Sequence, residues 1–420
     1  MANDILANAK KQKNDEFYTL YEDIQKEMNF YVEYNPDVFR GKTILLPCDD
    51  PEWSNFTRYF AEHFEEFGIK KLISTSYARD SKQYKAGTQV SLWELESGKY
   101  DEEKTYSHGK IFTLTRDKNQ SGRIDIDDLD FEYLEGDGDF RSDEVKWLRN
   151  EADIIITNPP FSIWREFFAW IIEAEKQFAI IGNMNAITYK EIFPLIKDNK
   201  VWIDNPFVRG AGYFTSPLEL NTNLSYFNSH DYREGFIRVP GVRWFTNIEL
   251  GRRHTPLTLM SVADNKKFSK HKEIKGVGYL KYDNYDAIEV PFSDAVPSDY
   301  LGAMGVPISF MDKHCPEQFE ILGITSGREE FDKRAWPTKR YINAIQHSLK
   351  NDKTTSGSKV NTGAELLFKD LDELKSFTKK DTYYTADGVT GVLYRCYDRL
   401  IIRFSDSWVS SHPNIFKKEC

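Results

Sequence analysis

The pattern of apolar and polar positions in the first half of the chain predicts strands that alternate with helices. Short runs of apolar and β-branched residues that end in turn residues predict buried strands at 42–50, 70–77, 152–157, 177–183 and 201–205. The segments between them predict helices at 55–68, 162–175 and 188–199. This alternation indicates an α/β fold with a parallel sheet, whose ligands bind at the carboxyl ends of the strands.

The pattern changes in two parts of the chain. Residues 78–135 are polar and irregular, and 117–130 resembles a hairpin or surface excursion. After about residue 206, loops separate strand-like pieces at 242–250, 278–290 and 392–404. The polar segment 350–363 is expected to be mobile. A length of 420 residues suits more than one domain, and we predict two, 1–255 and 256–420.

Composition narrows the class of protein. Hydrophobic residues make up 40% of the chain, which is enough for real cores, yet no apolar run approaches the roughly 20 residues of a membrane span. The start of the chain, "MANDILANAKKQKNDEF", lacks the apolar core of a signal peptide, so we expect a cytoplasmic protein. The eight histidines form no paired ligand motif, and no metal site is predicted. Reduced thiols without metal-ligand spacing are expected at Cys48, Cys315, Cys396 and Cys420.

The net charge of −10 argues against a polyanionic partner, but its distribution does not. Residues 1–250 carry 13 more acidic than basic residues, whereas residues 251–420 carry 3 more basic than acidic ones. Within 251–275 there are seven Lys or Arg residues and two acids. Such a local basic surface can bind phosphates whatever the global charge, although a solvated charged face is an equally good interpretation.

A rigid turn follows the predicted strand 152–157. Asn158-Pro159-Pro160-Phe161 comes after the run "IIIT", and two adjacent prolines cannot continue a strand ladder and fix their own φ angles. The turn therefore presents one amide and one aromatic ring at the carboxyl end of a strand, directly before a predicted helix.

This arrangement suits a reaction at the exocyclic amino group of a nucleobase. The lone pair of that nitrogen is delocalised into the ring, so an enzyme needs two acceptors that take both N–H bonds. The Asn158 side-chain carbonyl and the Pro159 backbone carbonyl can supply them, while Phe161 stacks on the base. A base within a duplex must flip out to reach such a turn. The four letters alone leave a Pro-rich strand exit open as the alternative.

The turn resembles the (D/N/S)-P-P-(Y/F/W) signature of methyltransferases that modify amino groups with S-adenosylmethionine, in which Asn with Phe or Tyr is typical of N6-adenine enzymes. Over about 13–325, the chain resembles the EcoRI-type adenine-specific modification methylases of the γ group, and 326–390 matches least. The matching segments include "DEFYT", "GDGDFRSDE", "EADIIITNPPFS", "IIGNMNAITYKEIFPLI" and "MGVPISFMDKHCPEQFEI". The resemblance implies a Rossmann-like S-adenosylmethionine-dependent methyltransferase sheet with a C-terminal DNA target-recognition domain.

The resemblance also implies which residues hold the methionine end of S-adenosylmethionine. One segment cradles it, and the loop after the first strand has two aspartates instead of the usual Gly-x-Gly, where a carboxylate can pair with the methionine ammonium. The residues implied here are Phe17, Tyr18, Thr19, Pro47, Cys48, Asp49, Asp50 and Asn158.

For the adenosine end, the resemblance implies that Asp139 accepts from the adenine amino group and that Phe140 packs near the ring. The acidic residue that usually binds the ribose hydroxyls after the second strand is missing. Ser76 and Tyr77 stand there instead, and Asp80 comes late. Tyr77 is therefore included among the expected cofactor-binding residues.

The implied activity is methyl transfer from S-adenosylmethionine to N6 of a flipped adenine in double-stranded DNA, as in a restriction-modification system or an orphan methylase. A restriction endonuclease is the possible functional partner. The implied catalytic residues are Asn158, Pro159, Pro160 and Phe161. Candidate DNA contacts, any of which can also be an ordinary surface or packed side chain, are Arg243, Arg252, Arg253, Lys266, Lys267, Arg328 and Arg340.

Three other functions stay open at this point. A protein glutamine methyltransferase also uses an N-P-P-aromatic turn, because an amide nitrogen poses a similar electronic problem. An RNA adenine is another substrate that the turn fits. A catalytically silent DNA-binding protein is the alternative outside enzymes, and the intact turn and cofactor segments argue against it.

Overall fold

A computed structural model describes residues 17–78, 92–207, 210–215, 236–326 and 337–416. The chain divides into two compact units. The first comprises Met1–Met184 and Val201–Gly251, and the second comprises Asn185–Lys200 and Arg252–Cys420. The division at residue 251 lies beside the predicted boundary at 255, whereas residues 185–200 cluster with the second unit and not with the first domain, where sequence analysis had included them.

The first unit is an α/β structure with mixed sheets. Its strands are β1 (Tyr18–Thr19), β2 (Thr43–Leu46), β3 (Lys71–Ser76), β4 (Lys110–Leu114), β5 (Asp130–Tyr133), β6 (Ile154–Thr157), β7 (Gln177–Asn183), β8 (Trp202–Asp204), β9 (Ala211–Thr215), β10 (Ile237–Pro240) and β11 (Val242–Thr246). Its helices are α1 (Tyr21–Tyr34), α2 (Asn55–Glu62), α3 (Leu92–Glu96), α4 (Lys104–Ser107), α5 (Asp143–Glu151) and α6 (Trp164–Glu173).

An eight-stranded sheet has the order β5-β4-β3-β2-β6-β7-β11-β8. The central strands β3, β2, β6 and β7 are parallel, as sequence analysis predicted, and β4, β5, β11 and β8 are antiparallel additions. Strands β4 and β5 come from the region that looked irregular, where 117–130 joins them as a hairpin. A separate three-stranded sheet has the order β1-β9-β10.

The helices of the first unit follow from capping residues and apolar faces. Ser54 caps α2 by accepting from the Phe56 N–H at 3.1 Å, and Ser142 caps α5 by accepting from the Val145 N–H at 3.2 Å. The buried side chains of α1 include Ile24, Met28 and Tyr31, on one face of the helix. They belong to one hydrophobic cluster together with apolar residues of α2 and with those on one face of β2, β6 and β7.

The second unit is built mainly from strands. They are β12 (Ala287–Glu289), β13 (Ala303–Pro307), β14 (Phe319–Ile324), β15 (Ile345–Ser348), β16 (Thr354–Ser356), β17 (Glu365–Phe368), β18 (Thr382–Thr385), β19 (Val392–Arg395) and β20 (Arg399–Phe404). Its helices are α7 (Phe193–Lys197), α8 (Val262–Phe268), α9 (Leu371–Phe377), α10 (Asp406–Ser411) and α11 (Pro413–Phe416). The strands form two sheets, β12-β13-β20-β14 and β16-β15-β18-β19-β17.

Several predicted elements are shorter in the structure or are divided. The helix predicted at 55–68 ends at Glu62, and the helix predicted at 188–199 covers only Phe193–Lys197. The strand-like piece 278–290 contains only the three residues of β12. The piece 392–404 is two strands, β19 and β20, which belong to different sheets. No helix among the described residues is long and apolar enough to cross a membrane.

Glu365 on β17 places a carboxyl group in the interior of the second unit. Its exposed fraction is 0%, and neither carboxyl oxygen has a hydrogen-bond partner among the residues that the structure describes. Burial disfavours the charged form and raises the pKa of Glu365 to about 9, against the opposing charges of Arg395 and Lys380. The carboxyl group is therefore protonated at neutral pH in the folded chain.

The raised pKa makes the stability of the chain depend on pH. Between about pH 4.5 and 9 the unfolded chain releases the Glu365 proton and the folded chain keeps it, so stability falls as pH rises. We expect Glu365→Gln, which cannot ionise, to lose about 4 kcal/mol less stability than the wild type between pH 5 and pH 8. Urea denaturation at both pH values measures this difference. The exposed Glu33→Gln serves as control, and an unchanged pH dependence in Glu365→Gln would contradict the prediction.

Candidate active site

The carboxyl ends of β2, β3 and β6 meet at one edge of the large sheet. The Thr157 hydroxyl donates to the Pro47 carbonyl at 2.6 Å, which joins the end of β6 to the loop after β2. The Asp49 N–H donates to the Thr75 carbonyl at 2.8 Å, and the Ser74 hydroxyl donates to the Asp49 carbonyl, which joins the same loop to β3. Hydrogen bonds between the three strand ends therefore hold this edge together. Ligands of open α/β sheets bind at such an edge, outside the carboxyl ends of the strands.

The Asn158-Pro159-Pro160-Phe161 turn follows β6 directly. The Asn158 side-chain amide donates from Nδ2 to the Phe17 carbonyl, which leaves its Oδ1 as the only acceptor of the group. That Oδ1 is buried and has no hydrogen-bond partner in the described part of the chain. Pro159 and Pro160 are buried, and the half-buried Phe161 ring lies 5.9 Å from the Phe17 ring. The turn thus presents one fixed acceptor beside an aromatic face.

The N-terminal strand β1 is attached to this edge. Tyr18 and Thr19 pair with β9, and the Asn55 side chain donates to the Thr19 carbonyl at 2.7 Å. Phe17 packs on Phe214 with ring centroids 6.2 Å apart. The Thr19 hydroxyl oxygen is buried without a partner among the described residues. The segment that was predicted to cradle the methionine end therefore lies against the catalytic turn.

The loop after β2 has its own internal bonds. Cys48 has φ +65°, a left-handed conformation that favours glycine, at the place where the family usually has Gly-x-Gly. The Asp49 carboxylate accepts from the Ser54 hydroxyl at 2.8 Å, and the Asp50 carboxylate accepts from the Glu52 N–H at 3.0 Å. Both carboxylates thus shape the loop, and their pairing with a methionine ammonium stays a prediction.

The "EGDGDF" segment lies along the end of β3. The Ala78 N–H donates to the Asp137 carbonyl at 2.8 Å, and the Tyr77 hydroxyl donates to the Asp137 carboxylate at 2.9 Å. Burial and the bond to Asp137 raise the pKa of Tyr77 to about 12. Gly138 has φ +83°, and a Cβ added there would lie 2.4 Å from the Ser76 carbonyl oxygen. Only glycine fits this close approach.

Asp139 and Phe140 have partners of their own. The Asp139 carboxylate accepts from the Arg141 guanidinium at 2.9 Å and 2.6 Å, which lowers the pKa of Asp139. Phe140 is buried, with its ring 5.2 Å from Phe167 and 5.7 Å from Trp170. An adenine amino group would therefore share the Asp139 carboxylate with Arg141. The Phe140 side chain packs in the core of the first unit.

The expected cofactor fits this edge of the sheet, because the edge contains buried protein oxygens that can accept hydrogen bonds. Thr19 Oγ1, Ser76 Oγ and Asn158 Oδ1 are buried without partners within the described ranges, and each stands at or beside the strand ends. Leaving such groups unpaired costs about 1–3 kcal/mol each. The expected S-adenosylmethionine carries ammonium, amino and hydroxyl donors that can satisfy Thr19 Oγ1 and Ser76 Oγ, which leaves Asn158 Oδ1 for a donor on the substrate. Sequence analysis singled out Thr19 and Asn158 but neither Asp137, which lies in the quoted segment "GDGDFRSDE", nor Asn55, which bonds to the Thr19 carbonyl.

The candidate DNA contacts differ in exposure. In the first unit Arg243 is buried on β11, and its guanidinium donates to the Val242 carbonyl at 2.7 Å. In the second unit Arg253 is buried and donates to Asn199, while Arg252 is half-buried beside it in a 3-10 helix. The exposed candidates in the second unit are Lys266, Lys267 and Arg340. The prediction for Arg328 lies outside the described residues.

Comparisons with known proteins identify the family of the chain. Residues 5–370 match the family described as adenine-specific methyltransferase EcoRI. The type II methyltransferase M.EcoRI of Escherichia coli is 38% identical over 332 residues, which cover 79% of this chain and 92% of that protein. The type II methyltransferase M.MpnI of Mycoplasma pneumoniae is 31% identical over 320 residues, which cover 75% of this chain and 83% of that protein. No solved structure matches the chain.

Two glycines of the "EGDGDF" segment provide a matched test of the site. In Gly138→Ala the new Cβ would meet the Ser76 carbonyl at a positive φ, so we expect a loss of about 2 kcal/mol in the free energy of unfolding. Gly136→Ala meets nothing within 4 Å and should change stability by less than about 0.5 kcal/mol. Chemical denaturation of both variants measures the difference. Equal stability of the two variants would show that the backbone contact is not required.

Proposed function

The chain belongs to the EcoRI family of adenine-specific methyltransferases, and from this premise we propose that it transfers a methyl group from S-adenosylmethionine to N6 of an adenine flipped out of double-stranded DNA. The observation that carries the proposal is the Asn158 amide. Its Nδ2 is held by the Phe17 carbonyl, so its unpartnered Oδ1 is the acceptor available to a substrate N–H, within the described part of the chain.

The chemistry at the turn follows from these acceptors. Asn158 Oδ1 accepts one hydrogen of the adenine amino group, and the Pro159 carbonyl accepts the other. Withdrawing both hydrogens from the ring plane localises the lone pair on N6 and makes the nitrogen nucleophilic. The buried prolines keep the two acceptors fixed before the substrate arrives, so no reorganisation is required during the reaction. The half-buried Phe161 offers its face to the extruded base.

S-adenosylmethionine supplies an electrophilic methyl group on a positively charged sulfur. We infer that the residues at the ends of β2, β3 and β6 bind it in a Rossmann-like sheet and aim it at the turn. The Asn158–Phe17 bond couples the N-terminal segment to the catalytic amide, so binding at that segment also orients the acceptor. Neither a metal nor a covalent nucleophile has a role in this scheme, and the proton leaves after transfer.

The second unit is the proposed DNA target-recognition region. Support comes from the basic segment 251–275 and from the exposed Lys266 and Lys267 in the last turn of α8. The Lys267 ammonium lies 4.9 Å from the centroid of the exposed Phe268 ring. Exposed lysines beside an aromatic ring suit phosphate contacts on duplex DNA. The buried Arg243 and Arg253 are weaker candidates, because their guanidinium groups already bond within the protein.

The relatives carry type II methyltransferase names, and a restriction endonuclease with the same target is the proposed functional partner. Because the family is adenine-specific, adenine is a better substrate for the proposal than a glutamine amide. Family membership also argues against a DNA-binding protein without catalytic activity. An RNA adenine remains the rival substrate, and it is distinguished by assaying both nucleic acids.

The central test removes the acceptor at the turn. Asn158→Ala should lower the methylation rate by about 100-fold or more, because a preorganised acceptor is lost, while cofactor affinity falls less than about 10-fold. Sequencing of modified bases in DNA from expressing cells shows whether N6-methyladenine appears and in which sequence. Calorimetry with S-adenosylmethionine measures binding, and Asn119→Ala in a surface turn is the control. Methylation at the wild-type rate by Asn158→Ala would refute the assignment.

A second test addresses the DNA contacts. Replacing Lys266 and Lys267 together by Ala should weaken binding to any duplex and reduce the slope of log affinity against log salt by about 2, one for each lost phosphate contact. Fluorescence anisotropy titrations at several salt concentrations measure the slope. Lys350→Ala is the control, because its ammonium already lies 2.7 Å from the Asp381 carboxylate. A slope unchanged in the double variant argues for a different DNA-binding surface.

A further inference from the structure

The end of β3 lacks the acidic residue that this class of enzyme usually places there for the cofactor ribose. Ser76 ends the strand and Tyr77 follows it, so neither side chain is a carboxylate. A ribose has two neighbouring hydroxyl groups, and each of them needs an acceptor when it is taken out of water. The structure brings a carboxylate to this position from another part of the chain.

That carboxylate belongs to Asp137. Its backbone carbonyl accepts from the Ala78 N–H at 2.8 Å, so residue 137 lies beside the chain that leaves β3. The φ of +83° at Gly138 and its contact with the Ser76 carbonyl hold the two backbones close together. Although it is distant in sequence from Ser76, Asp137 therefore occupies the place where the strand would otherwise have supplied an acid.

The orientation of the Asp137 carboxylate is fixed, and it still has capacity for a ligand. One of its oxygens accepts from the Tyr77 hydroxyl at 2.9 Å, and the other accepts from the Asp139 N–H at 3.0 Å. A carboxylate oxygen can accept two hydrogen bonds, so each has one lone pair left for a hydroxyl donor. The residue is exposed, which lets a ligand reach it. Asp139, by contrast, is occupied by the Arg141 guanidinium.

A second observation at the same place points to a ligand. Ser76 is 3% exposed, and its hydroxyl oxygen has no partner among the residues described. Side chains alternate along a strand, so Ser76 lies on the same face of β3 as Ser74, whose hydroxyl donates to the Asp49 carbonyl. The Ser76 hydroxyl is thus aimed to the side of the sheet where the loop after β2 lies, which is the expected cofactor side.

We propose that Asp137, oriented by Tyr77, is the carboxylate that accepts hydrogen bonds from the ribose hydroxyls of S-adenosylmethionine, with the Ser76 hydroxyl as a further partner. The proposal rests on the proposed function, since it concerns the same cofactor. It assigns Asp137 to binding and Tyr77 to positioning, and it gives neither residue a part in the methyl transfer step.

The test compares two ligands that differ by one hydroxyl group. Calorimetry with S-adenosylhomocysteine and its 2′-deoxyribosyl analogue should show the wild type binding the analogue roughly 10- to 100-fold more weakly, as for a lost hydrogen bond to a charged group. Asp137→Ala should bind S-adenosylhomocysteine more weakly by a similar factor and should no longer distinguish the two ligands. Tyr77→Phe keeps the ring but loses the bond, so its discrimination should fall to an intermediate value.

Two further variants and a folding check complete the design. Asp143→Asn removes an exposed carboxylate on α5 and should discriminate as the wild type does. Thermal melting establishes whether the variants are folded. If Asp137→Ala is not folded, the comparison is made with Tyr77→Phe instead. The inference is overturned if Asp137→Ala, or Tyr77→Phe in its place, discriminates like the wild type, or if Asp80→Asn abolishes discrimination instead. A wild type that neither binds S-adenosylhomocysteine nor methylates adenine would reject the proposed function itself.

Discussion

The hydrogen bond from the Asn158 side chain to the Phe17 carbonyl is the interaction on which the active site depends. An amide has a donor end and an acceptor end, and fixing the donor end decides where the acceptor points. The bond also ties the residue before β1 to the turn after β6, 141 positions further along the chain, which brings the predicted cofactor segment and the predicted catalytic turn together. A carboxylate at this position would accept but could not donate, and it would face the Phe17 carbonyl with a negative charge. Asparagine satisfies both requirements.

The surrounding structure serves to keep that amide at the edge of the sheet. Parallel strands bring their carboxyl ends together, and the bonds Thr157 to Pro47 and Asp49 to Thr75 lock three of those ends. Several polar oxygens are then buried without partners in the described ranges, which is unfavourable for the free protein. A ligand that donates to these oxygens recovers the cost. If the cofactor binds at this edge as proposed, part of its binding energy comes from satisfying these acceptors.

Sequence analysis could predict the central strands and the rigid turn after β6, because both depend on local signals. The run Ile154–Thr157, followed by Asn158 and two prolines, gives the strand, its end and the position of the amide at once. It could not predict the antiparallel strands β4 and β5, because both are short and lie within a largely polar, irregular region. It also could not divide 392–404 into strands of two sheets, because the apolar pattern is continuous and only tertiary pairing separates them. The shortened α7 has a different cause, because Pro194 in its first turn is a local signal for a helix that begins at Phe193 and not at residue 188.

Local sequence signals are also insufficient to decide which single residues of the site can bind a ligand. Asp139 resembles the adenine acceptor by motif, and Arg141, two residues further on, donates to both of its oxygens, so the role of Asp139 towards adenine stays a prediction. Asp137 had no motif to mark it, and its place beside Tyr77 follows from a backbone contact that only Gly138 allows. Motif position therefore identifies the segment that serves a ligand, whereas the hydrogen-bond partners identify which side chain of that segment is available. In this chain the carboxylate proposed to bind the ribose, Asp137, is not one of the residues that directly follow β3 in sequence. It reaches the end of β3 through a backbone contact across the sheet edge.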